Sequence, residues 1–318
     1  MRFYLFFLLV LITIFSCKTE KNDVDVSGVE IKFTLKRFEK DFYKSDSSSL
    51  QNIKKEYPYL FPESFSDSLA LQKIKSKEEQ ELYEETELVF PNDKFLTGEL
   101  TLLFKHIKYY YPKFTTPKVV TLTSNIDYAN RIILTDSLLL ISLDAYLGKE
   151  HKFYNDFPKY VKETNTKNHL VVDVANAFIN NQIPQEFKRA FIDKIIFEGK
   201  KLYLLDRYLP QINEHIKIGY SLEKLAWAKE NEEQIWMYFI DKKLLFSTDT
   251  KLNKRFIENA PFSKFYQAHD NLSPGRIGVF IGWQIAKAYM QNNDVSLQEF
   301  LAKDTQEIFK NAKYKPKR

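Results

Sequence analysis

Along residues 187–209 the apolar side chains return every three or four positions: Phe187, Phe191, Ile195, Leu202, Leu205 and Leu209. That is the period of one buried helix face. The pattern predicts a helix over 186–209, stopped by Pro210. Glu198 fills the gap in the series, so a carboxylate sits on the apolar stripe, and Gly199 follows it. A glycine inside a helix costs about 1 kcal/mol against alanine. Two adjacent departures from local rules are expected at functional or strained sites.

Helical periods also run over Asp93–Tyr111, Asn168–Asn181, Leu222–Leu245, Pro274–Asn292 and Leu297–Asn311. Ser296 and Glu299 frame the start of the last as a capping box. Elsewhere the period is two. Val29, Ile31, Phe33 and Leu35 alternate with polar residues and predict a half-buried strand. Val119–Thr123, Arg131–Leu134 and Leu138–Leu143 are short aliphatic runs, with an Asp136-Ser137 turn between the last two. The expected class is α+β: a small antiparallel sheet and a mainly helical C-terminal body, with residues 29–318 as one domain.

In the helix predicted from Pro274, Gly278, Gly282 and Ala286 lie at steps of four. Such a face lets another backbone approach closely, and the Glu198 helix with its own Gly199 is the candidate partner. Ser273 is placed to cap that helix, with Pro274 at its first position. Arg276 in the first turn can pair with Glu198, since a buried carboxylate needs a partner. Replacing Glu198 would then cost about 3–5 kcal/mol. The other use of Arg276 is as an anion contact at the helix start. Trp227, Trp236 and Trp283 read as core or rim packing.

The N-terminus changes the picture. Arg2 precedes the apolar run Phe3–Phe15, which is shorter than the ~20 residues that span a bilayer. It fits a signal peptide over 1–16. Ile14-Phe15-Ser16-Cys17 resembles a bacterial lipobox, so Cys17 is expected to be acylated, with 17–28 as a polar tether. Cys17 is the only cysteine, so the mature chain has no disulfide. The formal charge of +5 arises from 47 basic and 42 acidic residues. Lys and Arg cluster only in the tail Lys313–Arg318, which excludes a nucleic-acid footprint.

Candidate chemistry centres on Glu198. Zincin-type metallopeptidases place His-Glu-x-x-His on a helix and take a third ligand from a later helix, often beginning Glu-Gly. Glu198-Gly199 resembles that later segment. Upstream, His169-Leu170-Val171-Val172-Asp173 keeps one histidine and places leucine where the general base belongs. The alternative register, Asp173-Val174-Ala175-Asn176-Ala177, loses all three residues. Without that base the water is not activated, so no catalytic residue, metal or cofactor is assigned. His169 and Asp173 read as a surface polar pair.

Longer strings resemble the gliding-motility lipoprotein GldB family. They are Arg37–Asp41, Asp144–Gly148, Phe197–Tyr203, Asn231-Glu232 with Ile235-Trp236, Ser273–Gly278 with Gly282–Ile285, and the ending Lys313–Arg318. The resemblance implies a lipid-anchored, periplasm-facing envelope protein of the gliding machinery, whose partners are other gliding or adhesin-secretion components. It implies no enzymatic activity. A distant likeness to zinc peptidases fits a degenerate zincin-like scaffold, with Glu198, Gly199, Arg276, Gly278, Gly282 and Trp283 as a structural or ligand site. The alternatives are a metallopeptidase using Glu198 with His169 or Asp173, and a module that binds a peptide or peptidoglycan.

Overall fold

The computed structural model describes residues 24–183 and 188–317. The signal-peptide segment, Cys17, Phe187 and Arg318 lie outside the described residues. Burial alternates from Val29 to Leu35 as the sequence predicts, but only Leu35–Arg37 forms a strand, β1. Upstream of it, side chains take over from a ladder. Lys105 Nζ donates to Ser27 O at 3.3 Å, Lys108 Nζ to Glu30 O at 3.2 Å, and Thr116 Oγ1 to Lys32 O at 2.6 Å.

Five helices follow: α1 (Phe38–Tyr43), α2 (Leu50–Glu56), α3 (Asp67–Lys75), α4 (Lys77–Val89) and α5 (Lys94–Tyr110). Ser66 and Ser76 cap α3 and α4 through their side chains. Residues 75–81, mostly charged, are therefore split between these two helices. Glu39, wholly buried at the start of α1, is bound by Arg37 and by the Thr121 hydroxyl at 2.7 Å. Arg37 also reaches Glu87 at 2.8 Å and Asp93 at 3.1 Å, tying β1 to α4 and the start of α5.

The chain then enters β2 (Lys118–Leu122), β3 (Ile132–Leu134) and β4 (Leu138–Ser142). The sheet is mixed, where local pattern predicts an antiparallel one. Its order is β1-β2-β4-β3, with β1 and β4 both parallel to β2 and only β3 antiparallel to β4. The physical reason is the connections. The helices α1–α5 form a crossover, which is what a parallel pair requires. The β3–β4 hairpin inserts with β4 against β2, so β2 and β3, neighbours in sequence, never pair. Val119, Val120 and Thr121 of β2 are wholly buried, as a central parallel strand demands. Asp144 pins the loop after β2 by accepting from Ser124 N at 2.9 Å and Ile126 N at 2.7 Å. Burial pushes its carboxyl up to about 6.

The remainder is helical: α6 (Lys159–Lys162), α7 (Leu170–Gln182), α8 (Phe191–Tyr208), α9 (Glu214–Ile218), α10 (Leu222–Glu230), α11 (Glu232–Asp241), α12 (Lys251–Phe256), α13 (Ile277–Asn292), α14 (Leu297–Ala302) and α15 (Thr305–Ala312). Two predicted helices are broken in two. Leu222–Leu245 breaks at Asn231, whose amide turns back to Trp227 O at 2.8 Å. Leu297–Asn311 breaks where Asp304 caps α15, accepting from Gln306 N at 2.8 Å. The wholly buried Lys200 donates to Leu301 O at 3.2 Å and Lys303 O at 2.7 Å, satisfying carbonyls left free at the end of α14. The Ser296–Glu299 capping box forms as predicted.

Helices α8 and α13 make the centre of the core, and they touch backbone to backbone. A Cβ on Gly199 would lie 2.2 Å from Gly282 O, and one on Gly282 would lie 1.7 Å from Ile195 O. The glycine face of α13 thus meets the Glu198 helix, as its spacing predicts. Trp283 is wholly buried beside this seam. Its Nε1 donates to Asp206 Oδ2 at 2.8 Å, and Lys287 Nζ lies 3.9 Å from the ring centroid.

Candidate functional site

In an α-helix successive residues are turned by about 100°. With Gly199 pressed on α13, Glu198 points elsewhere, into a cleft of about 750 Å3. The cleft gathers most of the residues that the sequence marked for chemistry. His169 at the start of α7, Asp173 and Asn176 line one side, with Glu198, Lys201 and Leu202 of α8 beside them. Lys217 to Ser221, Lys224 and the segment 257–262 line another side, with Pro274, Gly275 and Arg276, and Tyr128, Arg131, Lys159, Tyr160, Glu163 and Thr164 line a third. Gly199, Gly278, Gly282 and Trp283 are not on its wall; they belong to the helix seam.

Asp173 is the most heavily bound group. Arg131 Nη2 lies 2.7 Å from its Oδ2, the Tyr146 hydroxyl donates to the same oxygen at 2.8 Å, and His169 Nε2 stands 3.4 Å from Oδ1. Burial alone would raise this carboxyl. The His169 imidazole and the Arg131 guanidinium outweigh burial and hold it below the usual aspartate value. Burial, then the Asp173 charge, pushes the Tyr146 hydroxyl well above its ordinary value, so Tyr146 keeps its proton and donates. Arg131 stacks 4.4 Å from the Tyr128 ring centroid and donates to Thr164 Oγ1 at 3.2 Å. The expected surface pair of His169 and Asp173 is therefore corrected. His169 is 6% exposed, covered by the turn at Gly219, and Asp173 serves an internal ion cluster.

The expected Glu198–Arg276 pair is corrected too. Both side chains reach the cleft, but Glu198 accepts from Lys201 Nζ at 3.0 Å, one helical turn away. Its side chain is 25% exposed. The lock between the two helices is the glycine contact, not this carboxylate. Among the described residues Arg276 Nη1 donates only to Ile218 O, at 3.4 Å. Arg276 precedes α13 with φ 57°, in the left-handed region, so the helix starts at Ile277, later than predicted. Ser273 does not cap it. Ser263 Oγ accepts from Ile277 N at 3.1 Å, and Ser273 Oγ bonds within its own turn, donating to Asp270 O at 2.6 Å.

The turn that holds Arg276 is bound from several sides. Tyr220 OH donates to Gly275 O at 2.6 Å, and Ser263 N to Pro274 O at 3.0 Å. Lys224 Nζ donates to Asn271 O, Leu272 O and Ser273 O at 2.8–3.0 Å. Lys217 Nζ, at the back of the cleft, bonds Asp206 Oδ1 at 2.9 Å. Sequence reading missed Arg131, Tyr146, Asn176, Lys217, Tyr220 and Lys224. Tyr146 lies in a string that the family resemblance used, and Asn176 lies mid-way along α7, a polar residue that the helical period does not single out. The others sit in loops or element ends without a period to mark them.

Among the described residues no three His, Cys, Asp or Glu side chains gather as metal ligands. No helix there is long and apolar enough to cross a membrane. Residues 19–316 match the sequence profile of the family described as gliding motility protein GldB. The chain belongs to the GldB family. It is thus a gliding motility protein, and the match covers almost the whole sequence, cleft and seam included. Comparison with curated proteins and with solved structures finds no match.

Proposed function

We propose that this GldB family member is a lipid-anchored component of the gliding apparatus that holds a partner in the Glu198 cleft and catalyses nothing. Acylated Cys17 anchors it in the envelope, facing the periplasm, and its partners are other gliding or adhesin-secretion components. Its scaffold is a degenerate relative of the zincin-like peptidases. One observation carries the non-catalytic reading. The two carboxylates that such a metal site would use are each bound by a protein cation, Asp173 by Arg131 at 2.7 Å and Glu198 by Lys201 at 3.0 Å. A metal would have to displace both, and the position of the general base is Leu170.

Metal analysis of the purified chain tests this. The expected result is no stoichiometric zinc and an unchanged melting curve on chelation. One zinc per chain, lost in Glu198→Ala, would establish the metallopeptidase reading instead. The anchor is tested by Cys17→Ala, which should move the protein out of the membrane fraction and stop gliding.

A further inference from the structure

We propose that the cleft takes a peptide segment bearing a carboxylate, and that Arg276 is its anion anchor. This deepens the partner-holding role and rests on it. The first support is a census of the cleft's cations. Arg131 is committed to Asp173, Lys201 to Glu198, Lys217 to Asp206, and Lys224 to three carbonyls. Lys159 also lines the cleft without a side-chain hydrogen bond or ion pair among the described residues, but it is exposed to solvent. Arg276 is half-buried, and its one hydrogen bond among the described residues is the 3.4 Å contact to Ile218 O. A guanidinium carries five N–H donors in a planar fork that matches a carboxylate. Most of that fork faces the cleft unused.

The second support is what the chain spends to place it. A non-glycine residue at φ 57° is strained, and such strain persists only where the surroundings over-determine it. Here Tyr220, Lys224 and Ser263 fasten the turn from three sides. Gly275 sits so close to Ala260 that a Cβ would lie 2.1 Å from its carbonyl oxygen. Glycine at position 276 would relieve the strain, yet arginine stands there.

The third support defines the ligand class. Asn176, half-buried on the cleft wall, makes no side-chain hydrogen bond among the described residues, and its amide offers both a donor and an acceptor. A main-chain peptide group is its natural complement. A phosphate dianion fits poorly. It would want free cations converging on it, and Glu198 and Glu258 on the same wall repel a double charge more strongly than the single charge of a carboxylate. The volume of about 750 Å3 lies within the roughly 300–1,000 Å3 of ligand sites.

The experiment uses the full chain in detergent and three probes, read by calorimetry or NMR titration. These are acetyl-Ala-Leu-Ala with a free terminal carboxylate, the same peptide amidated, and amidated acetyl-Ala-Glu-Ala. Binding of the first or third, with the amidated first peptide at least tenfold weaker, is expected. Which of the two binds tells a terminal carboxylate from a side-chain one. Arg276→Gly is the decisive variant. It should bind at least tenfold less tightly, the loss of one charge-assisted contact. Its thermal midpoint should be equal or higher, because glycine accepts φ 57°. Equal binding by Arg276→Gly overturns the role of Arg276. A lower midpoint overturns it as well, by making the side chain structural. Failure of both carboxylate peptides to bind, or displacement of bound peptide by equimolar inorganic phosphate, overturns the ligand class. None of these results touches the non-catalytic reading. That reading falls only if zinc is bound or a probe is hydrolysed.

Discussion

Glu198 and Gly199 are adjacent, break adjacent rules of helix composition, and do so for unrelated reasons. Gly199 faces α13 across a dry seam where two backbones meet. Glu198, about 100° further round the helix, faces a polar cleft and pairs within its own helix. On the seam there is no room and no charge. On the cleft side there is space, and the side chains are ionic and partly wet. Two anomalies that share a sequence address need not share a cause.

The comparison can be broken at the seam first. Gly282→Ala sets a Cβ against Ile195 O at 1.7 Å, which only a shift of the backbone relieves. The cost should exceed the ordinary overpacking range, at more than about 3 kcal/mol. The thermal midpoint should fall by roughly 6 °C or more. A midpoint within about 2 °C of wild type would mean that α8 and α13 part easily and that the seam is no constraint.

Next comes the ion cluster. Arg131→Met leaves the half-buried Asp173 without its guanidinium and should cost up to about 3 kcal/mol. Adding Asp173→Asn should recover much of that, since the pair then has no charge left unmatched. Urea midpoints decide the point, and an undisturbed Arg131→Met would show that Tyr146 and His169 suffice.

Acid sharpens the contrast in a third way. The folded Asp173 carboxyl is held below the ordinary aspartate value, so the unfolded chain binds its proton first on acidification. Its stabilisation is complete above that value and is lost as pH falls through the lower folded pKa. Asp173→Asn should flatten that part of the stability–pH curve, and an unaltered slope would remove Asp173 from the account.

Glu198→Gln should have the smallest effect, under about 0.5 kcal/mol, because a partly exposed pair with Lys201 contributes little. The sequence alone placed the cost at about 3–5 kcal/mol. A large measured loss would restore a locking role for the carboxylate.

What could be read from the chain was whatever repeats. The stripe on α8, the step-of-four glycines on α13, the capping box at Ser296 and the turn at Asp136 all follow local periods or fixed offsets, and each is where the pattern places it. The sheet's parallel pairs were illegible, because Leu35 meets Val119 through a long helical crossover that leaves no local trace. The cleft was half legible. His169, Asp173, Glu198 and Arg276 stood out as residues, yet their partners did not. Arg131 comes from the edge of the sheet, Lys201 competes from within the helix, and the strain at Arg276 has no compositional sign.

The seam between Gly199 and Gly282 also sets a timescale. Ordinary helix contacts loosen when one side chain rotates away. Here no side chain stands between the backbones, so the amides of Ile195–Lys200 and Gly278–Trp283 reach solvent only when both helices separate as a unit. Their protons should exchange last in the molecule, at the rate of global opening. The rims of the cleft, built from short helices and turns, should trade theirs long before.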